Sequence, residues 1–176
     1  MNFLKQTIKS NSIGGLVCFH LDTFKDDRGE IWTLYDTSFT EESFTTDKLT
    51  ISTYGVLRGF HGDSDTTKLI TCLSGKFHLA VVDLRANSPT YGAKEEFLVD
   101  SEEPTVILVP KGCINAHLCL SRECLFYYKW SKPYMGPENQ VTVKWNDPEI
   151  GIRWPIENPI LSERDKNGTP YKEALL

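Results

Sequence analysis

The stretch Gly55-Val56-Leu57-Arg58-Gly59-Phe60-His61-Gly62-Asp63 sets an arginine and a histidine three residues apart, between glycines that let backbone come close to a ligand. A β-type run, Leu49-Thr50-Ile51-Ser52-Thr53-Tyr54, leads into it. A second run, Lys68-Leu69-Ile70-Thr71-Cys72-Leu73, follows a short polar loop. This order puts Arg58 and His61 near the end of one strand and Lys68 at the start of the next. Strand alternation then turns Arg58 and Lys68 toward the same space as His61, or nearly so. One imidazole and two cations around one space suit proton transfer on an anionic substrate. A solvated hairpin without chemistry fits the same residues, and the stretch alone leaves both readings open.

Two further positions bear on that chemistry. The run Leu125-Phe126-Tyr127-Tyr128-Lys129-Trp130 carries two tyrosines. Alternation sends them to opposite faces, so at most one shares a cavity with His61. A phenol held near a reacting carbon acts as a general acid, although core packing accounts for most strand tyrosines. Asp165, in the turn-rich tail, matters only if the tail folds back onto a histidine and holds its tautomer.

The four histidines are His20, His61, His78 and His117. A metal-binding jelly roll needs a His-x-His pair, but Asp63 stands where His61's partner belongs. His61 and His117 with an unassigned carboxylate form, at most, a facial triad, so the expectation is no metal and no cofactor. His20 and His78 read as strand histidines, His78 being a weak candidate for the barrel interior.

Composition narrows the class. The chain has 176 residues, 40% hydrophobic and 24% charged, which fits one soluble domain over 1–176. A formal net charge of −5 without a Lys/Arg cluster argues against nucleic acid. No apolar run is long enough for a bilayer, and Met1-Asn2-Phe3-Leu4-Lys5-Gln6 lacks a signal-peptide core, so a cytoplasmic location without membrane contact is expected. Cys18, Cys72, Cys113, Cys119 and Cys124 are odd in number and show no CxxC spacing, which favours reduced, buried thiols.

The elements that must position these residues are short strands. Runs at 15–20 and 30–35 flank the turn Asp26-Asp27-Arg28-Gly29, and residues 40–44 fit a single helical turn. Further runs occur at 49–54, 67–73, 76–84, 94–99, 105–109, 116–120, 123–130 and 140–145, separated by turn signals such as Ser74-Gly75 and Pro110-Lys111-Gly112. The pattern predicts an all-β sandwich or barrel. The tail from Asn146 is mostly irregular, with one short helix near Ser162–Lys166.

Taken together, several blocks resemble the dTDP-4-dehydrorhamnose 3,5-epimerase family, a metal-free branch of the cupins. They are Asp27-Arg28-Gly29, Val56-Leu57-Arg58-Gly59-Phe60-His61, Lys68-Leu69, Val82-Asp83-Leu84-Arg85, Ser88-Pro89-Thr90-Tyr91-Gly92, Pro110-Lys111-Gly112, Tyr128-Lys129, Trp145-Asn146-Asp147-Pro148, Gly151-Ile152, Trp154-Pro155 and Leu161-Ser162-Glu163-Arg164-Asp165. They run in family order from about residue 15 to 165. The resemblance implies a cupin-type jelly-roll sandwich, a homodimer with exchanged N-terminal strands, and a nucleotide-diphosphate 4-keto sugar as substrate. The ketone of such a sugar acidifies the C–H bonds at C3 and C5. By this resemblance His61 is the general base, Asp165 orients it, Tyr128 returns a proton to the opposite face, and Lys68 stabilises the enolate oxygen. Arg28 and Arg58 match positions that hold the diphosphate or nucleotide.

The chain also departs from the pattern. Glu30-Ile31-Trp32-Thr33 and Thr46-Asp47-Lys48 replace blocks that contribute to base recognition in the family. The family's Pro-x-Gly-Phe-Ala-His block reads Pro110-Lys111-Gly112-Cys113-Ile114-Asn115, with a histidine delayed to His117. Asn115 and His117 are therefore expected against the substrate. The variants Arg58-Gly59-Phe60-His61-Gly62-Asp63 and Asn115-Ala116-His117 resemble a branch acting on GDP-linked 4-keto-heptoses for capsular polysaccharide. The competing readings are a nucleotide-sugar 3,4-ketoisomerase and a catalytically silent sugar-nucleotide-binding cupin.

Overall fold

The computed structural model describes residues 3–174 and 176. Two antiparallel sheets face each other. The first holds β1 (Leu4–Lys9), β2 (Val17–Leu21), β10 (Thr105–Val109), β7 (Lys68–Ser74), β12 (Glu123–Trp130) and β5 (Thr46–Thr53), in that spatial order. The second holds β13 (Val141–Thr142), β6 (Leu57–Gly62), β11 (Cys113–Cys119), β8 (Lys76–Asp83) and β9 (Lys94–Asp100). A small hairpin of β3 (Phe24–Asp26) and β4 (Gly29–Ile31) stands apart. The one α-helix among the described residues is α1 (Glu163–Lys166), capped by the Ser162 side chain accepting from the Asp165 N–H. The fold is an all-β, cupin-like sandwich of two open sheets.

Hydrophobic burial occurs on three levels. Between the sheets lie Ile70, Phe77, Leu79, Val81, Ile107 and Phe126. The outer face of the second sheet buries Phe60, Ala80, Val82 and Ile114 beneath Val143, Ile150 and Trp154 of the tail. The outer face of the first buries Phe19, Leu69, Val106 and Leu108 beneath Phe39, Leu34 and Phe44. Covering both outer faces explains why β10 and β11 are buried along their whole length and read as unbroken runs. In β5, exposed from one side, alternation survives: Asp47, Leu49 and Ile51 face out, while Lys48, Thr50 and Ser52 face in.

Several elements differ from the sequence expectation. β1 was hidden in a polar run, because as an edge strand it buries almost nothing. Residues 40–44 form no helical turn. Asp36 and Thr40 instead accept from the backbone N–H groups of Ser38 and Glu42, side-chain bonds that compete with helix. Strand character ends at Ile31, and Trp32, Leu34 and Tyr35 serve as a cover. β13 is only two residues long. Arg58 and His61 lie on β6, a strand of their own, in the sheet opposite Lys68.

Candidate active site

β6 explains how two residues of opposite parity reach one cavity. His61 pairs with Asn115 and Arg58 with His117, so three steps along β6 match two along β11. The extra residue is a β-bulge, which switches the facing of the strand between Arg58 and His61. Gly59 makes it possible: its φ is +125°, and a Cβ there would lie 2.5 Å from the Ala116 Cα.

The two sheets enclose a cavity of about 300 Å³ at one end of the sandwich. Arg58, His61, Asn115 and His117 line it from the second sheet; Lys48, Thr50, Lys68, Phe126, Tyr128 and Trp130 line it from the first. Tyr134, Gln140, Ser162, Arg164 and Asp165 complete the wall.

The His61 Nε2 lies 2.6 Å from the Asp165 Oδ1. A carboxylate only accepts, so Nε2 carries the proton and Nδ1 keeps its lone pair. Asp165 is itself held by the Ser162 hydroxyl at 2.8 Å. Burial raises the Asp165 pKa, but the bonds from His61 and Ser162 outweigh it, so the group stays ionised below the usual carboxylate range. Burial pushes the His61 pKa down, against the upward pull of Asp165, with Arg164 and Lys68 adding to the decrease. The imidazole is therefore neutral and basic at working pH.

Lys68 is buried. Its Nζ donates to the His61 carbonyl at 3.0 Å and to the Asn115 Oδ1 at 2.7 Å, spanning the two sheets. Burial lowers its pKa to about 8, so it remains mostly charged at neutral pH. Tyr128 lines the cavity, and burial raises its pKa, keeping the phenol protonated and able to donate. Tyr127 is on the other face, near Lys129 and Asp47. His117 stacks on Phe126 with centroids 3.9 Å apart and an interplanar angle of 12°. Burial, with Arg58 and His61 nearby, drives its pKa to about 3, so it is a neutral wall of the cavity rather than a proton carrier. The Arg58 Nε donates to the Ser52 hydroxyl. Arg28 lies outside this cavity: it sits on the exposed β3–β4 turn, paired with Asp26 at 2.6 Å.

Sequence reasoning did not single out Lys48, Trp130 or Arg164 as cavity residues. The signal for Lys48 was its parity with Ser52 on β5, and its register partner is Tyr128. Arg164 adjoins Asp165 in the chain, and its Nε donates to the Thr142 hydroxyl at 2.7 Å.

Four cationic side chains (Lys48, Arg58, Lys68 and Arg164) line the cavity beside one carboxylate, Asp165, which is committed to His61. Among the described residues none of the four is in an ion pair, whereas Lys25, Arg28, Arg85, Lys129, Lys166 and Lys172 all are. A cavity with unpaired cations, a histidine–aspartate dyad and a protonated tyrosine has the groups that proton transfer on an anion needs.

Comparison with known proteins agrees with this class. A family model described as dTDP-4-dehydrorhamnose 3,5-epimerase matches residues 10–173. The curated epimerase of that name from Methanothermobacter thermautotrophicus is 33% identical over 172 residues, covering 92% of each chain. That from Pseudomonas aeruginosa is 33% identical over 172 residues, covering 93% of this chain and 94% of its own. The crystal structure of the Elizabethkingia anophelis enzyme superposes with a TM-score of 0.86 at 31% identity, covering 96% of this chain and 97% of the other. The Legionella pneumophila epimerase, crystallised with dTDP-4-keto-L-rhamnose, gives 0.89 at 27% identity, covering 95% and 93%. The fold and the relatives are those of a nucleotide-sugar epimerase, an enzyme of the isomerase class. The chain belongs to the dTDP-4-dehydrorhamnose 3,5-epimerase family.

Proposed function

We propose that this epimerase inverts one or both carbons flanking the ketone of a nucleoside-diphosphate 4-keto sugar, through an enolate. The observation carrying the reading is the placement of His61 and Tyr128 on facing sheets. A flat enolate between them meets a base on one face and an acid on the other, as inversion requires. The His61 Nδ1 takes the proton from carbon, and Asp165 holds the ring while it is charged. The Lys68 ammonium, fixed by two carbonyl oxygens, stabilises the charge that develops on the ketone oxygen. Arg58 offers its guanidinium to the diphosphate.

The relatives point to a dTDP-linked 4-keto-6-deoxyhexose. A second reading, a GDP-linked 4-keto-heptose for capsular polysaccharide, rests on Asn115 where the family has histidine. In this chain that position is used to tether Lys68. Arg28 lies outside this chain's own cavity, on an exposed turn flanked by the exposed Phe24 and Ile31, so a role for it in substrate binding calls for the cavity of a second copy, as in a homodimer. Light scattering at enzyme concentrations tests that state, and a monomer with full activity refutes it.

Proton NMR in deuterated water with GDP- and dTDP-linked 4-keto sugars tests both substrate and mechanism. The sugar that is accepted incorporates solvent deuterium at C3 or C5 and emerges inverted. In the Tyr128→Phe protein, His61 still removes a proton and returns one to the same face, so exchange persists while inversion is lost. Inversion at the wild-type rate in that variant rules out Tyr128 as the acid. Exchange with neither sugar leaves a silent binding protein.

A further inference from the structure

Proton delivery turns Tyr128 into a phenolate. As the enolate collapses, its electron pair forms the new C–H bond with the phenol proton, and the ketone C=O re-forms. The negative charge passes from the ketone oxygen, beside Lys68, to the phenol oxygen on the first sheet. Solvent later returns a proton to the phenolate and takes one from His61. A group that donates to the phenol oxygen therefore sets how good an acid Tyr128 is.

Most neighbours of Tyr128 have no donor to offer it. Phe126 and Trp130 flank it on the inward face of β12, with ring centroids 5.0 and 5.7 Å away. Phenylalanine has no donor, and the Trp130 Nε1 is buried without a partner among the described residues. On β7 the register partner is Ile70. On β5 it is Lys48, whose Nζ lies over ring faces, 3.7 Å from the Tyr134 centroid and 5.9 Å from that of Tyr128. Thr50 is the exception. It stands opposite Phe126, at the next inward position after Lys48, and so diagonal to Tyr128. Its hydroxyl is hydrogen-bonded to the Tyr128 side chain. Burial pushes the Tyr128 pKa up and Tyr134 adds to the rise, whereas the Thr50 bond and Arg58 pull it down. The same face of β5 repeats the arrangement two residues on, where the Ser52 hydroxyl accepts from the Arg58 Nε at 3.1 Å. Branching at Cβ restricts χ1, which holds the Thr50 hydroxyl in place without a ligand.

We infer that Thr50 is a positioning residue for the acid: its O–H donates to the Tyr128 oxygen, aims the phenol proton at the substrate carbon and stabilises the phenolate that forms. The inference rests on the reading of Tyr128 as the acid and deepens it. A hydrogen bond to a charged oxygen is stronger than one to a neutral phenol, so the contact favours the state after proton delivery over the resting state.

The test uses the full-length enzyme in deuterated water, with whichever GDP- or dTDP-linked 4-keto sugar the wild type inverts. Exchange and inversion are followed in one NMR sample. Thr50→Val removes the hydroxyl and keeps the branched shape, while Thr50→Ser keeps the hydroxyl. Thr50→Val is expected to slow inversion by roughly 10-fold or more, the loss of one hydrogen bond to a charged group. His61 still exchanges the same C–H, so the ratio of exchange to inversion rises by a similar factor. Thr50→Ser restores the wild-type ratio. A ratio equal to wild type in Thr50→Val, or a fall in exchange and inversion together, overturns the inference and leaves Thr50 as a packing or binding residue. A ratio that stays raised in Thr50→Ser also overturns it, because the hydroxyl is then not the part that matters. Inversion at the wild-type rate in Tyr128→Phe brings down the acid reading itself, a result separate from all of these.

Discussion

Two regions on neighbouring strands handle buried charge in opposite ways. At the end of β8, Asp83 is fully buried and accepts from the Arg85 backbone N–H, Nε and Nη2 and from the hydroxyls of Ser88 and Thr90. Burial raises its pKa, but these five donors outweigh that and hold it at about 2. Asp83 pairs in register with Cys113, and two residues further along β11 stands Asn115, at the cavity. There the cations have hydroxyl, amide or carbonyl partners, or aromatic faces, but no carboxylate. The first region is electrostatically complete and fixes a loop. The second is left incomplete in a way that an anionic substrate completes. Completeness marks structure, and a one-signed deficit marks function.

The comparison predicts a crossover between activity and stability. His61→Ala is expected to give the largest effect, a loss of roughly 1,000-fold or more in exchange at every inverted carbon, since one base starts each cycle. It costs less stability than a change at Asp83, because Asp165 keeps the Ser162 hydroxyl. Near-wild-type exchange in this variant removes His61 from the base role.

Asp83→Ala works the other way, stranding Arg85, Ser88 and Thr90. The expected loss is on the order of 3–5 kcal/mol, seen as a lower Tm, with KM and kcat of the remaining folded protein little changed. The pH dependence has a definite sign. The folded pKa lies below the unfolded one, so the stabilisation is present above about pH 4 and is lost as pH falls toward 2. A Tm equal to wild type ends the contrast between the regions.

Arg58→Ala should act mainly through binding, raising KM by roughly 10-fold or more as the diphosphate loses a charge-assisted partner. An unchanged KM with a collapsed kcat moves Arg58 into the chemistry. The smallest effect concerns pH. Activity rises as His61 loses its proton, below the ordinary imidazole range, and falls as Lys68 loses its charge near pH 8. Lys68→Arg, which cannot deprotonate in this range, removes the alkaline limb from whatever activity it retains. A limb that persists near pH 8 belongs to another group.

Much of this was legible in residue order. Apolar runs and turn signals located most strands, and a short helix lies where one was expected, near Ser162–Lys166. What stayed hidden had physical causes. β1 is an edge strand with almost nothing buried. Residues 32–44 carry apolar side chains as a cover, without ladder hydrogen bonds. The site was legible where side chains have distinctive chemistry, as at His61, Lys68 and Tyr128. The bulge at Gly59 was not: alternation was expected to turn Arg58 and His61 toward one space, but residues three apart on a regular strand face opposite ways, and it is the bulge that brings them together. Lys48 and Arg164 escaped because a lysine or arginine on a strand or turn usually means a solvated surface. Only the folded structure shows that, among the described residues, these two have no acidic partner.

The bond from the Lys68 Nζ to the Asn115 Oδ1 has a kinetic consequence. It ties β7 to β11 across the cavity without any ligand, so the walls stand at their working separation before an encounter. Association then needs no opening step, and cations facing a negatively charged substrate speed its approach. Competing nucleotide sugars should therefore enter at similar rates and be told apart by how long they stay.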